Sequence, residues 1–493
     1  MDLTKRNLWT YTLGGIGRDA AGSLFSSFLM AYVLYTKTLT PAQFTWVSML
    51  MVAARIFNGC IDPVMGNILE VTRTKWGKFK PWIAAGMVGS AAVFVVSFGN
   101  RVEGGVPYVV LFGAMYFLYS IVFTMNDIAY WGMVPALASQ KGDRDLLTSR
   151  TILFAGIGSG IAYVLVPPLT TGSLAIGGSA VTGYTALAVI FSAFFIGMQV
   201  ITLAGVKERP LPPRGAATVN RVSFATVVNT MRGNDQLLWV MLIYLLSTVA
   251  NGVIGGGLGS TYIYFTFGYE GSLYTIFSAL GAVASAAVMV FYKGISKRMK
   301  RDRIMRIAIY SIVAGYAAIL LVGLAAPAGM FKFALLMLCN LFAMGGQNVY
   351  YLVMMICIAN TVEYNEWKTG ARAEGIIFSV RPFLTKLGFA VIQFVTWLVY
   401  LAVGVLHFTN KIAATERAAS VEKMDPNVKA AAIKNILEGV PAGKGAALIA
   451  CMALIPVALY VVSYGMYRRK FILDEETYDR MLAEIGERNA QEN

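Results

Sequence analysis

The sequence is short of charge and of the side chains that carry covalent or metal chemistry. Only 14% of its 493 residues are Asp, Glu, Lys or Arg, too few to cover the surface of a water-soluble chain of this length. There is one histidine, His407, at the end of an apolar run, and no paired His, Cys or Ser/His constellation. Metal and nucleophilic catalysis therefore have little to work with, and the chain is not read as an enzyme; no cofactor is expected. The four cysteines, Cys60, Cys339, Cys357 and Cys451, fall inside apolar stretches without metal-ligand spacing, which excludes a disulfide framework or a zinc site and leaves them as packing residues. Acids are scarcer than bases, 26 against 41, for a net charge of +15. The bases sit in short turns between apolar runs, as the positive-inside rule distributes them, so the excess speaks for membrane topology and not for nucleic acid. No small-residue cleavage site follows Lys5 and Arg6, and no removable signal peptide is expected.

What the sequence has in abundance is apolar length: 57% of residues are hydrophobic and the mean hydropathy is +0.63. Runs of about 20 residues or more are expected to be membrane-spanning helices. They lie near 9–36, 42–70, 81–99, 107–136, 150–169 and 183–206, then 236–267, 273–293, 305–326, 333–364, 374–406 and 444–467. The fold class is thus an all-α polytopic membrane protein of twelve spans. Its expected parts are a six-helix bundle over 1–206, a Pro/Arg-rich cytoplasmic linker over 207–235, a second six-helix bundle over 236–467 and a cytoplasmic tail over 468–493. The loops after spans two, four, six and eight hold most of the bases, which places both termini in the cytoplasm. A loop over 407–443 nearly balances its charges, and PNVKAAAIKNILEGV within it has an amphipathic helical pattern, so it is read as outward-facing with a short surface helix. The basic turn RTKWGKFK after span two is echoed by KRMKRDR after span eight. Two six-span repeats point to the major facilitator architecture, in which two bundles enclose a central cavity.

Charges inside the spans are the candidate functional residues. An aspartate at the centre of a span costs roughly 2.5 to 3.5 kcal/mol, so it is expected to face a cavity with a use for it. Asp19 lies in span one within GGIGRDAAG, whose glycines are read as close-packing positions. Asn58 and Asp62, at i and i+4, share one face of span two. Thr124, Asp127 and Trp131 share one face of span four, a trio suited to a sugar, whose hydroxyls need acceptors while its C–H face stacks on an aromatic ring. Basic partners are Arg150 at the start of span five, Arg381 and Lys386 in span eleven, and Arg55 in span two; Lys386 sits too deep in its apolar run to snorkel and is expected to pair with an acid. After span ten, EYNEWKTGARAEG gathers Glu363, Glu366, Lys368, Arg372 and Glu374 round a glycine. With Arg73 and Lys78 after span two, these are read as a cytoplasmic gate whose salt bridges hold one conformation and break in the other.

These stretches together resemble the glycoside-pentoside-hexuronide:cation symporters, the family of melibiose permease. The resemblance is carried by GGIGRD, by ARIFNGCIDPVMG followed by TRTKWGKFKPW, by TMNDIAYW, by NTVEYNEWKTGARAEG and by the intramembrane Lys386, spread over nearly the whole chain. It implies a cation site on spans two and four, at Asn58, Asp62 and Thr124, and a sugar site formed by Asp19, Asp127, Trp131 and a supporting Arg150, with Lys386 in the same set. One carboxylate of the sodium-using block is Asn58 here, and its amide is Ile61. Sodium wants several oxygen ligands at once, whereas a proton needs a single carboxylate, so a proton is favoured over sodium as the coupling ion. The resulting expectation is a cation-coupled sugar or glycoside symporter of the inner, cytoplasmic membrane, working by alternating access as a monomer among membrane lipids. A lysolipid carrier of the same fold is the alternative, and Asp19 and Asp127 beside Trp131 argue against it.

Overall fold

The structure, a computed structural model, describes residues 3–138, 140–208, 232–370 and 374–492. Helix dominates, and the described residues hold two isolated bridges and no strand. The first six helices are α1 (Lys5–Thr36), α2 (Pro41–Val71), α3 (Lys80–Gly99), α4 (Gly105–Leu137), α5 (Lys141–Thr170) and α6 (Ala180–Gly205). Then follow α7 (Asp235–Val253), α8 (Gly259–Phe267), α9 (Gly271–Ser296), α10 (Arg301–Ala325), α11 (Met330–Thr369) and α12 (Glu374–Val403). The last four are α13 (Leu406–Glu422), α14 (Pro426–Glu438), α15 (Ala442–Lys470) and α16 (Glu475–Glu492).

Ten of these stretches are long and apolar enough to cross a membrane among the described residues, with the α7–α8 run counted as one. The two other expected spans form as α1 and α9, of 32 and 26 residues, roughly 48 and 39 Å long at 1.5 Å per residue and so able to cross a core of about 30 Å. Polar caps begin several helices, as the sequence dictates. Thr4 accepts from the Asn7 amide at α1, Thr40 and Gln43 form a reciprocal capping box at α2 ahead of Pro41, and Asn234 accepts from the Leu237 amide at α7. The seventh span is not one helix: Ile254–Leu258 widens into a looser turn with Gly257 at φ 123°, a conformation that three consecutive glycines permit. The surface helix expected from PNVKAAAIKNILEGV forms as α14, and α13 precedes it, where the sequence had suggested loop.

The chain divides into two compact units: residues 1–216, 263–276 and 396–444, and residues 217–262, 277–395 and 445–493. In the first, α1 is central and packs on α5, α6 and α13, while α3 lies on α4 and α6 and α2 on α4. Glycine sets the closeness of these contacts. A Cβ on Gly17 would fall 2.9 Å from the Phe194 carbonyl oxygen of α6, and one on Gly158 of α5 would fall 2.2 Å from that of Ile16, so neither position tolerates a side chain. In the second unit α10 packs along α11, and α11 also meets α7 and α16.

Candidate substrate and cation sites

α1 and α4 are fastened together just beside their charged residues. The Tyr11 and Tyr130 rings stack with centroids 4.4 Å apart, and each hydroxyl donates to the other residue's carbonyl, at 2.6 and 2.5 Å. Both tyrosines are fully buried, so each hydroxyl needs the partner it has found. On this platform Arg18 is the hub. Its side chain is 3% exposed, and it donates from Nε and Nη2 to Asp19 Oδ2 at 3.1 and 2.7 Å, while Nη1 lies 3.1 Å from Asp127 Oδ1. The guanidinium also lies 4.6 Å from the Tyr130 ring centre and 5.3 Å from that of Trp131, within cation–π range.

One buried cation thus orients two carboxylates that are themselves more open, at 26% and 37% exposure. Arg18 engages one oxygen of each, so the other oxygen of each carboxylate can accept a hydroxyl proton next to the half-buried indole of Trp131. Asp127 and Trp131 of α4 and Asp19 of α1 are therefore brought together round Arg18, and Thr124 of the expected trio turns instead to α2. Arg150 is not part of that group: its guanidinium lies 5.1 Å from the ring centre of Trp9, and among the described residues it pairs with neither aspartate.

The second group joins α2 to α4. Thr124 is buried and its Oγ1 donates to Asn58 Oδ1 at 3.4 Å. Asp62 lies one turn beyond Asn58 on α2, half-buried. α4 therefore carries both groups, with Thr124 one turn from Asp127. Among the described residues no cluster of three His, Cys, Asp or Glu side chains could hold a metal ion.

In the second unit Lys386 is half-buried on α12, one turn after Pro382. Nearby on that helix, Arg381 and Thr385 line a cavity of about 170 Å³ with Tyr244, Ser247, Asn251 and Tyr351. Arg381 donates to the Tyr351 hydroxyl at 2.7 Å.

Comparison with known proteins decides the family. Residues 10–463 match the family described as MFS/sugar transport protein. The chain belongs to this family. It is similar to a lactose permease of Lactobacillus helveticus, 27% identical over 98% of this chain and 72% of the permease. It is also similar to an inner membrane symporter of Escherichia coli (strain K12), 24% identical over 76% of this chain and 78% of that one. Its fold is that of a solved D-xylose-proton symporter, with a TM-score of 0.56 at 13% identity over 89% of this chain and 98% of that chain. The protein is accordingly a polytopic membrane transporter of the major facilitator class and not an enzyme.

Among the gate candidates of this MFS/sugar transport chain, Lys78 has partners that no sequence pattern marks out. In the first unit Lys78 is buried with its ammonium 2.8 Å from Glu70, and the Lys78 and Lys80 amides donate to the Glu208 carboxylate at 2.8 and 3.2 Å. Arg73 in the same turn is exposed. In the second unit Glu363 and Glu366 are half-buried near the end of α11, and the neighbouring Lys368 pairs with Asp235 at 2.5 Å while Trp367 Nε1 donates to Glu484 of α16 at 2.7 Å. Arg372 lies outside the described residues. The role of Arg18 also escaped the sequence reading. Its signal was available: one deep base beside one deep acid, with a second acid on span four that also needs a counter-charge.

Proposed function

We propose that this chain is a cation-coupled symporter of a sugar or glycoside that works by alternating access. The observation that carries the reading is the pair of partly open carboxylates, Asp19 and Asp127, held by the buried Arg18 beneath Trp131. Such a group offers charged acceptors for hydroxyls and an aromatic face for a pyranose ring, and it offers nothing to a long alkyl chain. Similarity to a lactose permease supports a sugar as cargo, and similarity to an inner membrane symporter supports a coupled ion and an inner-membrane location; the bases after spans two, four, six and eight support cytoplasmic termini.

The coupling ion is assigned to Asp62, Asn58 and Thr124. Of these only Asp62 supplies a full negative charge, and Ile61 adds no oxygen, a set thin for sodium and sufficient for a proton. α4 carries Thr124 for the ion and Asp127 and Trp131 for the sugar, so ordering of α4 by one ligand lowers the cost of binding the other. Coupling of this kind is typically about 1 to 3 kcal/mol. The test is equilibrium binding of labelled lactose and other glycosides to the purified protein. Binding in the unaltered protein with loss in both Asp19→Ala and Asp127→Ala supports the site; normal affinity in Asp127→Ala removes Asp127 from it.

A further inference from the structure

A cavity of about 800 Å³ lies in the first unit where α1 and α3 end and α6 begins, with α13 on one side. It is large enough for a substantial ligand, and none of the residues assigned to sugar or ion lines it. Among the described residues its lining holds three cations, Lys37, Arg101 and Arg417, and no acid.

These cations are not neutralised one for one. Lys37 is 3% exposed and donates only to neutral acceptors: the Asn100 carbonyl at 3.1 Å, Asn100 Oδ1 at 2.8 Å and the Val102 carbonyl at 2.7 Å. Arg417 reaches Glu103 at 2.5 Å and the Arg101 carbonyl at 3.1 Å. Arg101 itself is exposed. Two arginines and a lysine thus meet one carboxylate, and an excess of basic groups favours an anionic ligand. Burial and the nearby Arg417 push the Lys37 ammonium down to about 7, against the opposing pull of Glu103; an anion in the cavity would restore its charge.

The rest of the lining belongs largely to a spanning helix, α6, which is polar at Thr182 and Thr185 and apolar beyond them. Val189 and Ile190 of α6 line the cavity and are 49% and 53% exposed. Cations at the end of a span with an exposed aliphatic face running away from them match the two halves of an acidic amphiphile. We propose that this cavity binds the phosphodiester headgroup of an anionic phospholipid, with the acyl chains lying along Val189 and Ile190. A free phosphate would satisfy the cations and leave that face unused.

The experiment uses the full chain purified in a neutral detergent, with lipid retention read by native mass spectrometry. Phosphatidylglycerol should be retained as a discrete adduct at least about fivefold more than phosphatidylcholine of the same acyl chains. Arg101→Gln and Arg417→Gln should each lower retention about tenfold, as expected when a charge-assisted contact is lost, while circular dichroism and sugar binding stay unchanged. Inorganic phosphate at millimolar concentration should not displace the lipid. Equal retention of the two lipids, unaltered retention in both variants, or displacement by inorganic phosphate would overturn the lipid assignment, the last in favour of a free-anion site.

Discussion

Arg18 concentrates the energetics of the candidate sugar group in one side chain. A buried guanidinium needs at least one carboxylate partner and its two carboxylates share it, so removing the common cation breaks both pairs at once, where breaking a buried pair costs roughly 3 to 5 kcal/mol. Arg18→Met should therefore lower thermal stability, whereas Asp127→Ala, which leaves Arg18 its Asp19 contact, should keep the fold and lose at least about tenfold in sugar affinity. Differential scanning fluorimetry beside sugar titration separates the two effects; equal melting temperatures for Arg18→Met and the unaltered protein would contradict the hub role. Lys37 allows a pH test. Its native pKa of about 7 lies below the ordinary lysine value, so between about pH 7 and 10 the unfolded chain binds the extra proton and stability should rise with pH through this window. Lys37→Met should flatten that part of the stability curve, and an unchanged slope would argue that another group sets it. At this scale Asp19 and Asp127 stand out in the sequence as charges inside apolar spans, and the structure joins them through Arg18. The stacking of Arg150 on Trp9 was not legible, since spacing along one helix says nothing of which neighbouring helix a long side chain meets.

Among the elements, the spanning helices were legible from apolar length, and the departures have local causes. The seventh span carries Gly255, Gly256 and Gly257 in succession and is interrupted there. α13 was missed because LHFTNKIAATERAASVE has too little apolar character to read as a span and too few turn residues to read as a loop. Its importance comes from one buried residue. Glu416 is fully buried, accepts from the Ala180 amide at the start of α6 at 2.7 Å, and lies 3.3 Å from the ammonium of Lys429 on α14, itself 4% exposed. The carboxylate thus caps one helix and pins two others, and burial raises its pKa against the pull of Lys429 and that amide. Glu416→Gln would leave the Lys429 charge buried without its counter-ion, at a cost of roughly 3 to 5 kcal/mol. The expected outcome is a lower melting temperature and faster proteolysis between α13 and α14, restored in part by the double variant Glu416→Gln, Lys429→Met. A single variant as stable as the unaltered protein would show the pair to be without structural weight.

For the whole molecule, twelve spans and the major facilitator class followed from apolar runs and the distribution of bases. The surroundings of the gate candidates were less legible, because no pattern in the sequence marks out Glu70 and Glu208, which hold Lys78 and its turn. The central claim is that sugar movement is coupled to a cation through Asp62, with the proton as that cation. It is tested most directly by uphill uptake of labelled lactose or another glycoside bound by the purified protein, in proteoliposomes held at fixed membrane potential. An imposed pH gradient should drive accumulation, an imposed sodium gradient should not, and Asp62→Asn should bind sugar yet fail to accumulate it. Accumulation on the sodium gradient alone, or undiminished accumulation in Asp62→Asn, would contradict the account.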